Sequence, residues 1–207
     1  MRVVQLHTTG FASNCWLIWD EQSDRAAVVD PSADAKQISD ELHRRNLTLQ
    51  WILLTHGHFD HIFAVDLLRD TFSVPAVIGE DDATMLTDSR LNASYYFFRQ
   101  NQTYRPAEKT VRQGDQLPLG SQEIRVISAP GHSPGSVIYE IGEIWLTGDV
   151  LFDGSIGRTD LPGGDSLEMN HSLRRLMEYP ERFLYPGHGP STNLSLQKQI
   201  NPFLSEF

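Results

Sequence analysis

The chain has 207 residues, enough for one domain with a sizeable core. Its 40% hydrophobic, 10% aromatic and 21% charged residues are typical of a globular protein and exclude collagen-like, coiled-coil and disordered chains. The 17 basic and 27 acidic residues give a formal net charge of -10, which disfavours nucleic-acid binding because such a surface repels phosphates.

The same composition predicts the compartment. The single cysteine, Cys15, cannot form an internal disulfide, which fits a reducing environment. The sequence contains no apolar stretch long enough to span a membrane, and its N-terminus lacks the apolar core of a signal peptide. We therefore expect a cytoplasmic protein without a membrane partner, and the sequence leaves its oligomeric state open.

Three short β-like runs separated by turn-forming residues open the chain and predict a meander: Val3–His7, Cys15–Trp19 and Ala26–Val29. Apolar residues at helical spacing then predict a helix that begins after Ser32 as N-cap and ends near Asn46.

The next predicted elements alternate between strand and helix. The uniformly apolar run Trp51–Leu54 favours a strand buried on both faces, although its periodicity does not exclude a helical segment. A helix over His61–Phe72, a strand over Pro75–Ile78 and a short helix over Asp81–Leu86 follow.

The stretch Thr87–Arg112 has no clean period and contains the aromatic segment Tyr95–Tyr104. Two interpretations compete for this segment, a lid over a site and ordinary packing of a long connection. Packing is favoured for Phe97 and Phe98, and the tyrosines remain undecided.

The second half predicts four further strands, with a tight hairpin at Gly142 between the last two. These strands are Gln116–Leu119, Glu123–Ser128, Ser136–Ile141 and Glu143–Thr147. A helix opening at Asp165 and closed by Pro180, a strand over Arg182–Tyr185 and a short helical tail complete the chain. We expect a single α/β domain with two sheets covered by helices.

Three of the eight histidines fall within six residues, His56 to His61, directly after the predicted strand Trp51–Leu54. His56 and His58 flank Gly57 and can converge on one metal, whereas Asp60 and His61 can face a neighbouring one. A chance match to this pattern is well below roughly 1 in 1,000, since histidine is rare in the chain.

Three more residues, His132, Asp149 and His188, each follow a predicted strand and lie beside a glycine. Ligands often collect at the ends of strands in such sheets. We predict one cation held by His56, His58 and His132, a second held by Asp60, His61 and His188, and Asp149 bridging the two. The other histidines, His7, His43 and His171, are interpreted as surface or capping residues.

Imidazole and carboxylate ligands suit zinc, and also iron or manganese, while the absence of thiolates disfavours a structural zinc finger. Two divalent cations about 3.5–4 Å apart can hold a bridging hydroxide and polarise a carbonyl or phosphoryl oxygen. The pattern therefore predicts a hydrolase, with Asp60 and Asp149 as catalytic residues.

This ligand set resembles that of the metallo-β-lactamase superfamily, whose HxHxDH motif is matched by His56–His61. The later His, Asp and His ligands of that superfamily are matched by His132, Asp149 and His188. The resemblance spans nearly the whole chain and implies one domain over residues 1–207, folded as a four-layer αββα sandwich with the metals at one edge.

Several branches of the superfamily look different. Zinc β-lactamases usually have cysteine where Asp149 stands and are exported, and flavodiiron proteins have glutamate for the second motif histidine and carry a flavodoxin domain. Members that process nucleic acids need added basic segments, for which a chain of net charge -10 has no room.

The remaining similarity is to the glyoxalase II group, the hydroxyacylglutathione hydrolases, and their short relatives. The segments that carry it are 131–136, 148–152, 155–160 and 185–189. Only 19 residues follow His188, so we expect no C-terminal glutathione-binding helical domain, and recognition of glutathione stays open. The resemblance implies a dinuclear site, most simply with two zinc ions, that hydrolyses a small thioester.

Residues Gly157–Asp160 also resemble a segment of the glutathione persulfide dioxygenases. That family implies one iron held by His56, His132 and Asp149, which is our alternative function. Arg158 either binds a substrate carboxylate or pairs with Asp160 or Asp165 to order its loop. A lactonase and a non-catalytic metal-binding module are further alternatives.

Overall fold

The computed structural model describes residues 1–6, 8 and 12–205. Its strands are β1 Arg2–Leu6, β2 Cys15–Trp19, β3 Arg25–Val29, β4 Thr48–Leu53, β5 Ala76–Gly79, β6 Lys109–Val111, β7 Gln116–Leu119, β8 Gln122–Ser128, β9 Val137–Ile141, β10 Ile144–Gly148, β11 Leu151–Phe152, β12 Ser155–Ile156, β13 Phe183–Pro186 and β14 Thr192–Asn193. Its α-helices are α1 Ala35–Arg44, α2 Val65–Phe72, α3 Ser94–Phe98, α4 Ser166–Met177 and α5 Leu194–Ile200, and 3₁₀ helices cover Glu80–Thr87 and Pro202–Leu204.

The first sheet has the strand order β1-β2-β3-β4-β5-β6. Strands β1, β2 and β3 pair antiparallel, which confirms the predicted meander within the described residues. His7, the end of the first predicted run, lies outside them. From β3 to β6 the pairing is parallel, and α1 and α2 form the first two crossovers.

The second sheet has the order β14-β13-β10-β9-β8-β7. Its strands β7 to β10 pair antiparallel, and β13 joins β10 in parallel. The predicted hairpin at Gly142 is confirmed, because Ile141 pairs with Ile144 and Gly142 has a φ of 58°. A positive φ at this turn suits glycine, which has no Cβ to clash.

Apolar residues of the first sheet alternate between two faces, as the two-residue period of a strand requires. Val28 packs with Ile38 of α1 and Leu68 of α2, so helices cover this face. The adjacent Val29 belongs instead to the layer between the sheets, where Tyr139 of the second sheet contributes a fully buried ring.

The far face of the second sheet is covered by the C-terminal helices. Trp145 of β10 is fully buried there against Leu173 of α4 and Leu194 of α5. Apolar residues therefore fill three interfaces: between the first helices and the first sheet, between the two sheets, and between the second sheet and the C-terminal helices. The four-layer αββα architecture is confirmed.

Several predicted boundaries were wrong. The cap of α1 is Asp34 rather than Ser32, because the Asp34 carboxylate accepts the backbone N–H of Lys36 at 2.7 Å. Helix α2 begins at Val65 rather than His61, since residues 61–64 form turns tied to neighbouring loops, such as the bond from Ala64 N to Pro31 O.

Two other elements also differ. The predicted helix over Asp81–Leu86 is a 3₁₀ helix, and β6 at Lys109–Val111 was missed because only Val111 of its three residues is buried. Among the described residues, no helix is long and apolar enough to cross a membrane.

Candidate metal centre

Four loops bring the seven predicted ligands to one edge of the two sheets. The loop after β4 carries His56, His58, Asp60 and His61, and the loops after β8, β10 and β13 carry the other three. Those three are His132, Asp149 and His188. The ends of strands from both sheets thus meet at this edge, although the ligands lie far apart in sequence.

The first subsite consists of His56, His58 and His132, all buried. The Nε2 atom of His132 lies 2.8 Å from His58 Nδ1 and 3.3 Å from His56 Nε2. Burial lowers the pKa of all three imidazoles, that of His58 to about 3. They are therefore neutral at pH 7, the form in which histidine binds a metal.

The second subsite consists of Asp60, His61 and His188. The Nε2 atoms of His61 and His188 lie 3.3 Å apart, and Asp60 Oδ2 lies 3.4 Å from His188 Nε2. Burial alone would lower the pKa of His61, but neighbouring carboxylates outweigh it and raise the pKa to about 10. The pKa of His188 is raised in the same way, and that of Asp60 falls well below its usual range because of both histidines.

Asp149 lies between the two subsites. Its Oδ2 atom is 3.5 Å from His132 Nε2 in the first and 3.5 Å from His188 Nε2 in the second. Its Oδ1 atom is buried and makes no hydrogen bond to the described residues, although it lies 3.4 Å from His61 Nε2. The structure thus places one carboxylate where it reaches ligands of both subsites.

The donor set fits two divalent cations. Neutral imidazole nitrogens converge at close range, and the buried Asp149 Oδ1 has no protein donor, an arrangement that costs free energy unless a cation binds there. Histidine and carboxylate donors accept zinc, iron or manganese, so the set does not select among them.

Hydrogen bonds behind the ligands orient their rings. The Nδ1–H group of His61 donates to the Asp30 carboxylate at 3.1 Å. The Nδ1–H group of His56 donates to Thr55 Oγ1 at 3.1 Å, and the Thr55 hydroxyl in turn donates to Asp30 at 2.7 Å. The Nδ1–H group of His132 donates to the Arg158 carbonyl at 2.7 Å. Each bond turns the Nε2 atom of its ring toward the cluster, as metal-binding histidines require.

Sequence reasoning missed Asp30 and Thr55 as parts of the site. The predicted strand Ala26–Val29 stops one residue before Asp30, yet the Asp30 carboxylate is buried and its backbone has a φ of 49°. That left-handed conformation is uncommon for a residue other than glycine. An acidic residue directly after a buried β-strand is the sequence signal that could have revealed it.

Close backbone approach explains one of the glycines beside the ligands. A Cβ added to Gly187 would lie 2.2 Å from Asp149 Oδ1 and 2.8 Å from His61 Cε1. The side chain of Asn14 donates to the carbonyls of Pro186 and Gly189, at 2.9 and 2.8 Å, which holds the His188 loop in place. Any larger residue at Gly187 would push the ligands apart.

A cleft of about 220 Å³ opens above the ligands. Its lining residues are His58, Phe59, Asp60, Phe97, His132, Asp149, Arg158, Leu161 and His188. The ring of Phe97 lies 5.0 Å from that of Phe59 and the Phe97 side chain is 54% exposed. Phe97 therefore packs against Phe59 and also forms a wall of the cleft, and Phe98 contacts Phe59 beside it.

Arg158 pairs with an aspartate, as one of its two predicted roles requires, and its second predicted role, binding a substrate carboxylate, stays a prediction. Its guanidinium forms a two-pronged pair with Asp160, at 2.6 and 2.7 Å, and also lines the cleft. Asp165 does not join this pair, since it caps α4 by accepting the backbone N–H groups of Leu167 and Glu168.

The histidines predicted to lie outside the site do so where the structure describes them. His171 is exposed on α4 near Glu168, and His43 lies on α1 with its ring 6.4 Å from that of Phe72. His7 lies outside the described residues.

The family model of the metallo-beta-lactamase superfamily matches residues 8–188, which include all seven predicted ligands. The chain belongs to the metallo-β-lactamase superfamily. Membership confirms the resemblance of the motif and accounts for the His and Asp cluster as a metal-binding arrangement of that superfamily.

Three proteins are similar to this chain over nearly its whole length. Hydroxyacylglutathione hydrolase GloC of Haemophilus influenzae is 33% identical, with 99% of each chain covered. The crystal structure of BLEG-1, described as a B3 metallo-beta-lactamase, is 37% identical with a TM-score of 0.92 and covers 99% of this chain and 100% of BLEG-1. The crystal structure of TTHA1623 in a di-iron-bound form is 32% identical in sequence, with a TM-score of 0.85, and the match covers 99% of this chain and 100% of TTHA1623.

Proposed function

We propose that the protein is a dinuclear metallohydrolase that cleaves a small thioester, such as a hydroxyacylglutathione. The observation that carries this proposal is the pair of three-ligand subsites with the Asp149 carboxylate reaching both. A bound pair of cations would supply an activated water and polarise the thioester carbonyl, so no nucleophilic side chain is needed.

The first subsite would hold one cation through His56, His58 and His132, and the second would hold another through Asp60, His61 and His188, with Asp149 shared. Asp60 lines the cleft and is ionised at neutral pH, so its carboxylate can accept a hydrogen bond from the attacking water and orient it.

The walls of the cleft would hold the substrate. Phe59, Phe97 and Leu161 present apolar surface that excludes water from the reacting carbonyl. Arg158 offers a guanidinium to a substrate carboxylate, at the cost of sharing it with Asp160. The volume of about 220 Å³ suits a small molecule rather than a nucleic acid.

The relative GloC supports a thioester as substrate, because a protein of that name matches this chain over 99% of each length. TTHA1623 supports two metals, since that similar chain has been seen with two irons. We propose zinc as the resident metal. We also propose a cytoplasmic location, since the single cysteine, Cys15, is buried and forms no disulfide.

The test uses protein loaded with zinc and assayed with S-D-lactoylglutathione and with simpler acyl thioesters. We expect release of free thiol that requires the metal and is lost in Asp149→Ala. No hydrolysis of any of these thioesters by fully loaded protein would refute the proposal. Oxygen consumption with glutathione persulfide and Fe(II) would instead support the alternative, a mononuclear iron dioxygenase.

A second candidate is hydrolysis of a β-lactam. The similarity to BLEG-1 favours it. The amide carbonyl of a β-lactam would occupy the same cleft and require the same ligands. A chromogenic cephalosporin, offered to the same zinc-loaded sample, tests this candidate beside the thioesters.

A further inference from the structure

Asp82 is a buried carboxylate that lies outside the ligand set. It belongs to the 3₁₀ helix Glu80–Thr87, and its side chain is fully buried. Asp82 does not line the cleft, so it does not contact a substrate bound there. Its neighbour Asp81 is exposed and provides a natural comparison.

The two oxygens of Asp82 bond to two different ligand loops. Oδ2 accepts the backbone N–H of Gly57 at 3.0 Å and the hydroxyl of Ser133 at 2.7 Å, and Oδ1 accepts the backbone N–H of Gly135 at 2.6 Å. Gly57 lies between His56 and His58, and Ser133 follows His132. One carboxylate therefore joins the backbone segments that carry all three histidines of the first subsite.

These loops pack against the Asp82 segment without a gap. A Cβ added to Gly135 would lie 2.3 Å from Asp82 N, and one added to Gly57 would lie 2.5 Å from Met85 Cβ. The Ser133 hydroxyl is fixed further by Ser136 Oγ at 2.6 Å. Hydrogen bonding and close packing thus act on the same two loops.

No lysine, arginine or histidine forms an ion pair with Asp82 in the part of the chain that the structure describes. Burial raises its pKa to about 6, although hydrogen bonds from Ser133, Gly135 and Gly57 oppose that shift. A buried carboxylate without a counter-ion costs free energy, which a cation bound nearby would reduce.

We propose that Asp82 is a positioning residue that aligns the three histidines of the first subsite before the metal binds. It acts through Gly57 and Ser133 rather than by touching the cation. This inference rests on the metal centre of the proposed function but not on the choice of thioester as substrate.

The test compares Asp82→Asn with Asp81→Asn, its exposed neighbour. An amide at position 82 keeps the size of the side chain but presents an N–H₂ group to donors, so at least one hydrogen bond is lost. We expect the affinity for the first Zn²⁺ or Co²⁺ ion, measured by chelator competition on the metal-free protein, to fall about 10–100-fold. Asp81→Asn is expected to bind like the wild type.

Two further measurements distinguish alignment of the histidines from general stabilisation of the fold. The visible absorption of bound Co²⁺, which reports ligand geometry, is expected to change in Asp82→Asn. With saturating metal, kcat is expected to fall while KM stays constant. Unchanged affinity and an unchanged Co²⁺ spectrum would overturn the proposal, even with a lower melting temperature of the metal-free protein.

Ser133→Ala keeps the test decisive if Asp82→Asn does not fold. This variant removes one of the three hydrogen bonds, so we expect a loss of first-ion affinity of less than about tenfold. No loss at all would overturn the proposal. If the wild type binds two metals but cleaves no thioester, the proposed substrate fails while the affinities still decide the role of Asp82.

Discussion

The floor and the rim of the cleft are built in different ways. The floor consists of the seven ligands with Asp30 and Asp82 behind them, and nearly all of these side chains are buried. The rim consists of side chains such as Phe97, which is 54% exposed, and the exposed pair of Arg158 and Asp160. Because a rigid scaffold commonly carries exposed functional segments, we expect the floor to hold the metals and the exposed rim to select the substrate.

The strongest way to break the floor is to remove the shared carboxylate. Asp149→Ala is expected to lose one metal per chain and to lower kcat/KM more than about 100-fold. Replacing a residue that only hydrogen-bonds a metal ligand already costs about 10–100-fold, and removing a ligand should cost more. Metal analysis by mass spectrometry and thiol release, measured on the same sample, check this. Two retained metals with full activity would contradict it.

The support behind the ligands is tested by Asp30→Asn. The Asp30 carboxylate accepts hydrogen bonds from both His61 and Thr55, so we expect metal affinity to fall about 10–100-fold, mostly at the second subsite. Asp34→Asn is the matched control, because asparagine also caps a helix and Asp34 only caps α1. Equal metal affinity in the two variants would show that Asp30 does not orient the ligands.

Acidification is expected to separate the two halves of the floor. The pKa of His61 and of His188 is raised by neighbouring carboxylates, whereas burial lowers those of the first subsite. Protons therefore compete for the second subsite at a higher pH, and its affinity should fall about tenfold per pH unit for each proton displaced. Dialysis against a weak chelator between pH 8 and pH 5 is expected to remove one metal before the other, and simultaneous loss would refute this order.

The rim should respond differently. Phe97→Ala removes an apolar wall but no ligand, so we expect about a tenfold lower kcat/KM for thioesters with a bulky apolar acyl group, and unchanged metal content. Phe203→Ala, at an exposed phenylalanine outside the lining of the cleft, serves as the control. If both variants act alike, Phe97 does not select substrate.

The clustering of the seven candidate ligands was predictable because their signals are local. A motif of three histidines and an aspartate follows one apolar strand, and glycines stand beside His132 and His188. The layer order followed from the family resemblance and from the order of the predicted strands and helices. Element boundaries were less predictable, because α2 begins only where the ligand turns end.

The residues behind the ligands could not be predicted in this way. Asp30 has one local signal, its place directly after a buried strand, but its contact with Thr55 spans 25 positions and that of Asp82 with Ser133 spans 51. The position of Phe97 at the cleft depends on α3, whose five residues carry no clear helical period. Tertiary contacts decide such features, and a single sequence does not reveal them.

The most direct test of the central claim is a titration of metal-free protein with zinc, in which bound metal and hydrolysis of S-D-lactoylglutathione are measured together. A dinuclear thioester hydrolase predicts activity that rises until two zinc ions are bound per chain and then stays constant. Two bound zinc ions without thioester hydrolysis, or full activity that needs only one iron, would contradict it.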